Sequence, residues 1–239
     1  MGFKGAGKTR LVMAFCADSS SVVVLDPTGR ADEWPAFGAA NGYLITDDPE
    51  DIRKHAKVVV RVNQLWLEDR AGWRTPGSLG YNWTLCLAYV FDRGNTICVI
   101  EEAIQTLPGI GPHPVARRLL TQGRGNDVRT FVPLQGMIGV DTMSPRLAEH
   151  FFAFRTVHGG DLQAVYDNRR VDPRPLTQLA YLKQGKLIPG AGGSRKQFAY
   201  HRLGADEWLL CDGLQDFFRG PKRTTSRRDR DLIERAVSP

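Results

Sequence analysis

Apolar residues in this chain come in short, separated runs. Residues 21–25 read Ser-Val-Val-Val-Leu and stop at Asp26-Pro27, and residues 57–62 read Lys-Val-Val-Val-Arg-Val. β-Branched runs of this length, closed by turn formers, predict buried strands. Thr96-Ile97-Cys98-Val99-Ile100 is a third such run, ended by Glu101-Glu102, and residues 128–134 form a fourth, ended by Gln135. Residues 150–157 and 197–202 predict two more. Between the runs the period changes. Leu79, Trp83, Leu87 and Val90 lie near one face of a helix predicted over 78–91. Helices are also predicted from about Lys8 through Leu11-Val12-Met13-Ala14-Phe15, over 115–122 and over 161–168. The stretch from Trp34-Pro35 to Asp47-Asp48-Pro49 reads as irregular, and 185–194, with Gly190-Ala191-Gly192-Gly193, as a loop.

Apolar strands alternating with helices imply an α/β fold: a mainly parallel sheet sandwiched by helices. Ligands of such sheets bind beyond the carboxyl ends of the strands. Asp26, Glu101, Glu102 and Gln135 all fall at predicted strand ends.

The chemistry is clearest at the amino end. Gly2-Phe3-Lys4-Gly5-Ala6-Gly7-Lys8-Thr9 fits the phosphate-binding pattern G-x-x-x-x-G-K-[ST]. Small residues let backbone N–H groups curl round a phosphate chain, and the following helix aims its positive end at the same anion. Gly2, Gly5, Gly7, Lys8, Thr9 and Arg10 are the candidate nucleotide-binding residues. Lys8 is placed to reach the β- and γ-phosphates of ATP, and the Thr9 hydroxyl to ligate Mg²⁺. Such a loop should follow a strand, yet only Met1 stands before Gly2. The expectation is that the strand is missing from this chain or that another segment takes its place.

Four apolar residues followed by Glu101-Glu102 form the second half of a nucleotide site. Glu101, at the strand tip, is the candidate metal-holding carboxylate; Glu102 is the candidate that polarises the attacking water. Gln135 is placed to contact the γ-phosphate or orient water. Arg124, between Gly123 and Gly125, is the candidate arginine supplied to a neighbouring subunit's phosphate, with Arg117, Arg118 and Arg129 competing for that role.

The remaining features narrow the picture. With 239 residues and 42% hydrophobic content, the chain can bury one α/β domain, assigned to 1–219. The formal net charge of +6 suits a polyanionic partner, and part of the excess lies in a basic tail, 220–239, at Lys222, Arg223, Arg227, Arg228 and Arg230. Cys16, Cys86, Cys98 and Cys211 are far apart and read as buried reduced thiols rather than zinc ligands. His150 and His158 read as structural or surface residues. No signal peptide and no membrane-spanning run is expected.

Taken in order, these segments resemble the HerA/FtsK superfamily of DNA-pumping ATPases, a RecA-like type of P-loop NTPase. Residues 23–29 resemble that family's second strand and its Asp-Pro turn, and 99–103 its acidic-pair segment. Residues 119–129 resemble the helix and turn carrying its trans-acting arginine. Residues 131–135 resemble the strand ending in its sensor glutamine, and 149–155 the strand after it. The compact size resembles the genome-packaging ATPases of tailless, membrane-containing double-stranded DNA viruses. One departure stands out: the usual Asp-Glu pair is Glu101-Glu102 here.

The resemblance implies an ATP- and Mg²⁺-dependent motor acting on double-stranded DNA. It also implies a homo-oligomeric, hexameric ring, contacts with capsid or membrane-vertex proteins, and a place in the virion or host cytoplasm. A plasmid or conjugative translocase, a P-loop small-molecule kinase, and a nucleotide-gated assembly switch are the alternatives.

Overall fold

The computed structural model describes Met1 and residues 7–27, 33–62, 66–68, 74–76, 79–101, 114–137, 143–183, 186–188, 197–213 and 217. The chain falls into two compact units. One comprises 9–134 and 139–147; the other comprises 1–8, 135–138 and 148–239.

The first is a sheet unit. Its strands are β1 (Val22–Asp26), β2 (Leu44–Thr46), β3 (Lys57–Arg61), β6 (Thr96–Ile100) and β7 (Val128–Phe131), hydrogen-bonded in the order β2-β3-β1-β6-β7. Every pairing is parallel. An antiparallel pair, β4 (Trp66–Glu68) and β5 (Arg74–Pro76), stands apart from this sheet. The helices are α1 (Lys8–Ala17), α2 (Glu33–Ala40), α3 (Asp51–Lys54), α4 (Leu79–Arg93), α5 (Pro114–Gln122) and α6 (Met143–Leu147). Successive strand residues face opposite sides, and both sides are apolar. Val23, Leu25, Val58, Val60, Cys98 and Ile100 meet Trp83, Leu87 and Val90 of α4, Leu119 of α5 and Ile52 of α3. Val22, Val24, Val59, Ile97 and Val99 meet Val12, Met13 and Cys16 of α1 and Trp34 of α2. That two-sided burial is why these strands are continuous apolar runs.

The expected α/β fold, a mainly parallel sheet flanked by helices, is thus present. Several boundaries differ from the sequence reading. The stretch around Trp34-Pro35 is helical, because a proline in the first turn removes only an N–H that has no helical partner there. The short edge strand β2 follows it. Strand β7 ends at Phe131, so Gln135 lies four residues beyond the ladder rather than at its tip.

The second unit is antiparallel. β8 (His150–Ala153) pairs with β11 (Phe198–Arg202), which pairs with β12 (Leu209–Cys211). β9 (Tyr181–Lys183) and β10 (Lys186–Ile188) pair antiparallel, and β10 lies inside the 185–194 stretch that reads as a loop from sequence. α7 runs from Gly159 to Arg169. On the other edge of β8, the Met1 amino group donates to the Phe152 carbonyl and the Phe154 N–H donates to the Met1 carbonyl, both at 2.7 Å. Bonds to residues on either side of Ala153 are the parallel pattern. Met1 therefore occupies, in parallel register, the position of a strand leading into the Gly-rich motif. Burial, with Lys8 adding to it, pushes its amino group down to about 4.

Polar residues lie inside this unit. The Arg169 side chain, 5% exposed, donates to the Ala148 carbonyl at 2.6 Å and through Nε to His201 Nδ1 at 3.2 Å. His201 Nε2 donates to the Ala205 carbonyl at 2.9 Å, the tautomer that leaves Nδ1 as acceptor. The Gln197 amide oxygen accepts from the Ala180 N–H at 3.0 Å, and its amide nitrogen donates to Asp212 at 2.5 Å.

Candidate nucleotide site

In the sheet unit the site begins at the carboxyl edge of the strands. Helix α1 is joined to β1 by residues 18–21 and packs on the sheet, so it runs antiparallel to the strand it precedes. Ten helical residues rise about 15 Å and five strand residues about 17 Å. The first turn of α1, with half-buried Thr9, therefore opens at the level where β1 ends. Lys8 is the first residue of that helix, and Gly7 before it has φ of +101°, a conformation natural only to glycine. Arg10 is exposed. Gly2 and Gly5, with the rest of 2–6, lie outside the described residues, as do Glu102 and the tail from 218 onward.

Asp26 is the last residue of β1 and is 1% exposed. Glu101 follows β6 directly and is 7% exposed. Its N–H donates to the Leu25 carbonyl at 3.1 Å, which carries the β1–β6 ladder one step past the strand and fixes the Glu101 backbone. Its carboxylate Oε1 accepts from Trp34 Nε1–H at 2.8 Å. Trp34 is a neighbour of this candidate site that sequence reasoning misses: 67 positions separate it from Glu101, and no local pattern marks it.

A carboxylate and a hydroxyl at one strand edge are hard oxygen donors of the kind that suits Mg²⁺. Among the described residues no group of three or more His, Cys, Asp or Glu side chains gathers. Magnesium commonly uses one or two protein oxygens together with substrate phosphates, so the donor set fits an ion brought with a nucleotide.

Arg124 is elsewhere. It sits exposed in a 3₁₀ turn, Gly123–Asn126, just before β7. The Asn95 N–H donates to the Asn126 carbonyl at 2.8 Å and the Thr96 N–H to the Asp127 carbonyl at 3.2 Å. These bonds bind the turn to the start of β6. It therefore occupies the amino edge of the sheet, a strand length of about 17 Å from Glu101. Arg117 and Arg118 lie on α5, exposed, with the Arg118 guanidinium 4.1 Å from the Phe91 ring centroid.

Gln135 is exposed and belongs to the second unit. The turn after it is held by Asp161 in the first turn of α7, whose Oδ1 accepts the Met137 N–H at 2.6 Å. A Cβ on Gly136 would stand 3.0 Å from that same oxygen, so a larger residue there would press on the Asp161 carboxylate.

The four cysteines are buried free thiols, and burial pushes Cys16 and Cys86 up to about 12, which keeps them protonated at neutral pH. His150 is half-buried, with Nδ1 2.8 Å from the Tyr200 hydroxyl; His158 is exposed at the start of α7.

No protein-family model and no curated protein matches the sequence. Solved structures do. The genome packaging NTPase B204 from Sulfolobus turreted icosahedral virus 2, in complex with AMPPCP, aligns over 89% of this chain and 95% of its own, with a TM-score of 0.61 and 16% identity. Its complex with ATP-gammaS aligns over 87% and 92%, with a TM-score of 0.58 and 14% identity. The DNA-packaging ATPase B204 from Sulfolobus turreted icosahedral virus aligns over 89% and 95%, at 0.61 and 16%. The likeness is one of fold. It covers most of the chain, and two of these NTPase structures hold ATP analogues.

Proposed function

We propose that this chain binds and hydrolyses ATP at the carboxyl edge of the sheet and couples hydrolysis to the movement of double-stranded DNA, as the packaging motor of a viral genome. The observations that carry this reading are a Gly-x-x-x-x-Gly-Lys-Thr sequence that runs into α1 and a buried carboxylate, Glu101, directly after β6. Both stand on a fold shared with a packaging NTPase solved with ATP analogues.

The roles follow from chemistry. Backbone N–H groups of Gly2 to Gly7 and the start of α1 cradle the phosphates. Lys8 neutralises the β- and γ-phosphate oxygens, and Arg10 lies next to the motif at the nucleotide. Thr9 and Glu101 would hold a magnesium ion, which would supply neutralisation of phosphate charge. Glu102 accepts a proton as water attacks the γ-phosphorus, releasing ADP and phosphate. Gln135 orients that water or reads the γ-phosphate. Arg124 serves the site of a neighbouring subunit. Its place at the opposite sheet edge suits donation in trans, because it is remote from the Glu101 of its own chain.

A homo-oligomeric ring, hexameric in this reading, supplies that neighbour and surrounds the DNA. Basic side chains, including the 220–239 tail, meet backbone phosphates without reading sequence. Capsid or membrane-vertex proteins are the docking partners, and the virion or host cytoplasm the location. Among the described residues no helix is long and apolar enough to cross a membrane.

The test is ATP hydrolysis with and without double-stranded DNA across a salt series. DNA is expected to stimulate turnover, with an affinity that falls steeply from 50 to 200 mM salt. Turnover indifferent to DNA at every salt concentration would remove the motor reading and leave a nucleotide hydrolase.

A further inference from the structure

Glu101 is a long side chain at a position where direction matters. Its main chain is fixed by the bond to Leu25, but its side-chain torsions could place the carboxylate in several staggered arrangements. The structure holds one of them through the Trp34 indole, with both side chains buried and the bond at 2.8 Å. Trp34 is itself immobilised. It is fully buried among Val12, Val24 and Val99, and its ring meets that of Phe37 edge-on at 5.6 Å. Phe37 in turn meets Tyr43 at 5.8 Å.

We propose that Trp34 is a positioning residue for the metal-holding carboxylate: its indole N–H fixes Oε1 of Glu101 and thereby sets the direction in which Oε2 meets a divalent cation bound with nucleotide. This rests on the reading of Glu101 given above. An indole suits the task for three reasons. It is a donor only, so it cannot compete as a metal ligand. It stays neutral at every working pH, so it orients the carboxylate without cancelling the charge that attracts the cation, as a lysine or arginine would. Its two rigid torsions are set by packing, so the constraint is built before the cation arrives.

The experiment measures cation affinity rather than turnover. Full-length protein loaded with ADP is titrated with Mn²⁺, an EPR-visible stand-in for Mg²⁺, and ADP affinity is measured separately in EDTA. Trp34→Phe should weaken Mn²⁺ binding about 10-fold or more, the usual size of an effect on a residue that orients a ligand. ADP affinity without metal should stay within about 2-fold of wild type, on the order of the error expected for an uncoupled site. Placing 3-benzothienylalanine at position 34 keeps both rings and replaces only the N–H by sulfur. It should reproduce the loss, and it decides the matter if the phenylalanine variant does not fold. Glu101→Gln should lose more, and adding Trp34→Phe to it should cost nothing further. Wild-type Mn²⁺ affinity in the benzothienyl protein, alongside a weakened Glu101→Gln, would overturn the role of Trp34 and leave that of Glu101 intact. Wild-type affinity in Glu101→Gln would overturn both.

Discussion

Both units bury polar side chains, but they do so in different places. In the sheet unit, the interiors of β1, β3 and β6 are apolar, and the buried carboxylates, Asp26 and Glu101, lie at the carboxyl ends of β1 and β6. In the second unit, Arg169, His201 and Gln197 sit among the packed strands and bond to backbone and to one another. A buried polar group costs free energy unless it is satisfied. The second unit meets that cost internally, and the result is structure. The sheet unit places its carboxylates at the carboxyl ends of parallel strands, the edge at which such sheets bind ligands. Burial alone does not mark a functional residue; the position along the strand and the neighbours do.

The contrast should appear most strongly at Glu101. Glu101→Gln keeps an oxygen for the Trp34 indole and so keeps the fold, while removing the charge. Phosphate release should fall by at least about 100-fold, with the thermal midpoint nearly unchanged. A variant that melts early and retains turnover would reverse the assignment.

Arg169→Met should behave the opposite way. It strands the Ala148 carbonyl and the His201 ring, and should cost about 2–4 kcal/mol in a denaturant titration followed in the second unit, since hydrogen bonds from charged groups are the stronger ones. A neutral result would remove the structural role given to that cluster.

Gly94→Ala tests the rigidity of the sheet's amino edge. Gly94 has φ of +62°, and a Cβ there would stand 2.8 Å from the Asn126 carbonyl. A loss of about 1–3 kcal/mol is expected, and an unchanged denaturation midpoint would contradict the turn geometry.

The smallest effect is on pH. Burial, reinforced by Arg169, holds His201 below its ordinary 6.5 even though its bond to Ala205 acts the other way, and burial also lowers His150. The unfolded chain then binds protons that the folded one does not. Stability is complete above the ordinary histidine value and declines as pH falls below it. Denaturation midpoints at pH 7.5 and 5.5 should differ, and His201→Gln should flatten part of the difference. A flat wild-type profile would contradict the arrangement.

The sequence made the sheet legible where burial on both faces leaves no choice of residue: β1, β3 and β6 are β-branched runs and lie where that pattern predicts. The acidic residue closing β6 was legible for the same reason. What was not legible depends on contacts distant in sequence. Helix α2 was hidden by Pro35, which breaks a helix in its interior but not in its first turn. Residues 150–157 read as one further strand. Only four of them form β8, and they pair with β11 some fifty positions later. The bond between Trp34 and Glu101 leaves no periodic trace. The remoteness of Arg124 from Glu101 follows only once the parallel order of β6 and β7 is known.

Everything functional here depends on nucleotide cleavage at the segment leading into α1. Wild-type protein and Lys8→Ala, both shown to be folded, should be compared for phosphate release from ATP with magnesium present. The wild type should turn ATP over, and the variant should fall to background. Equal rates in the two proteins, or no release from the wild type under any magnesium concentration, would contradict the account.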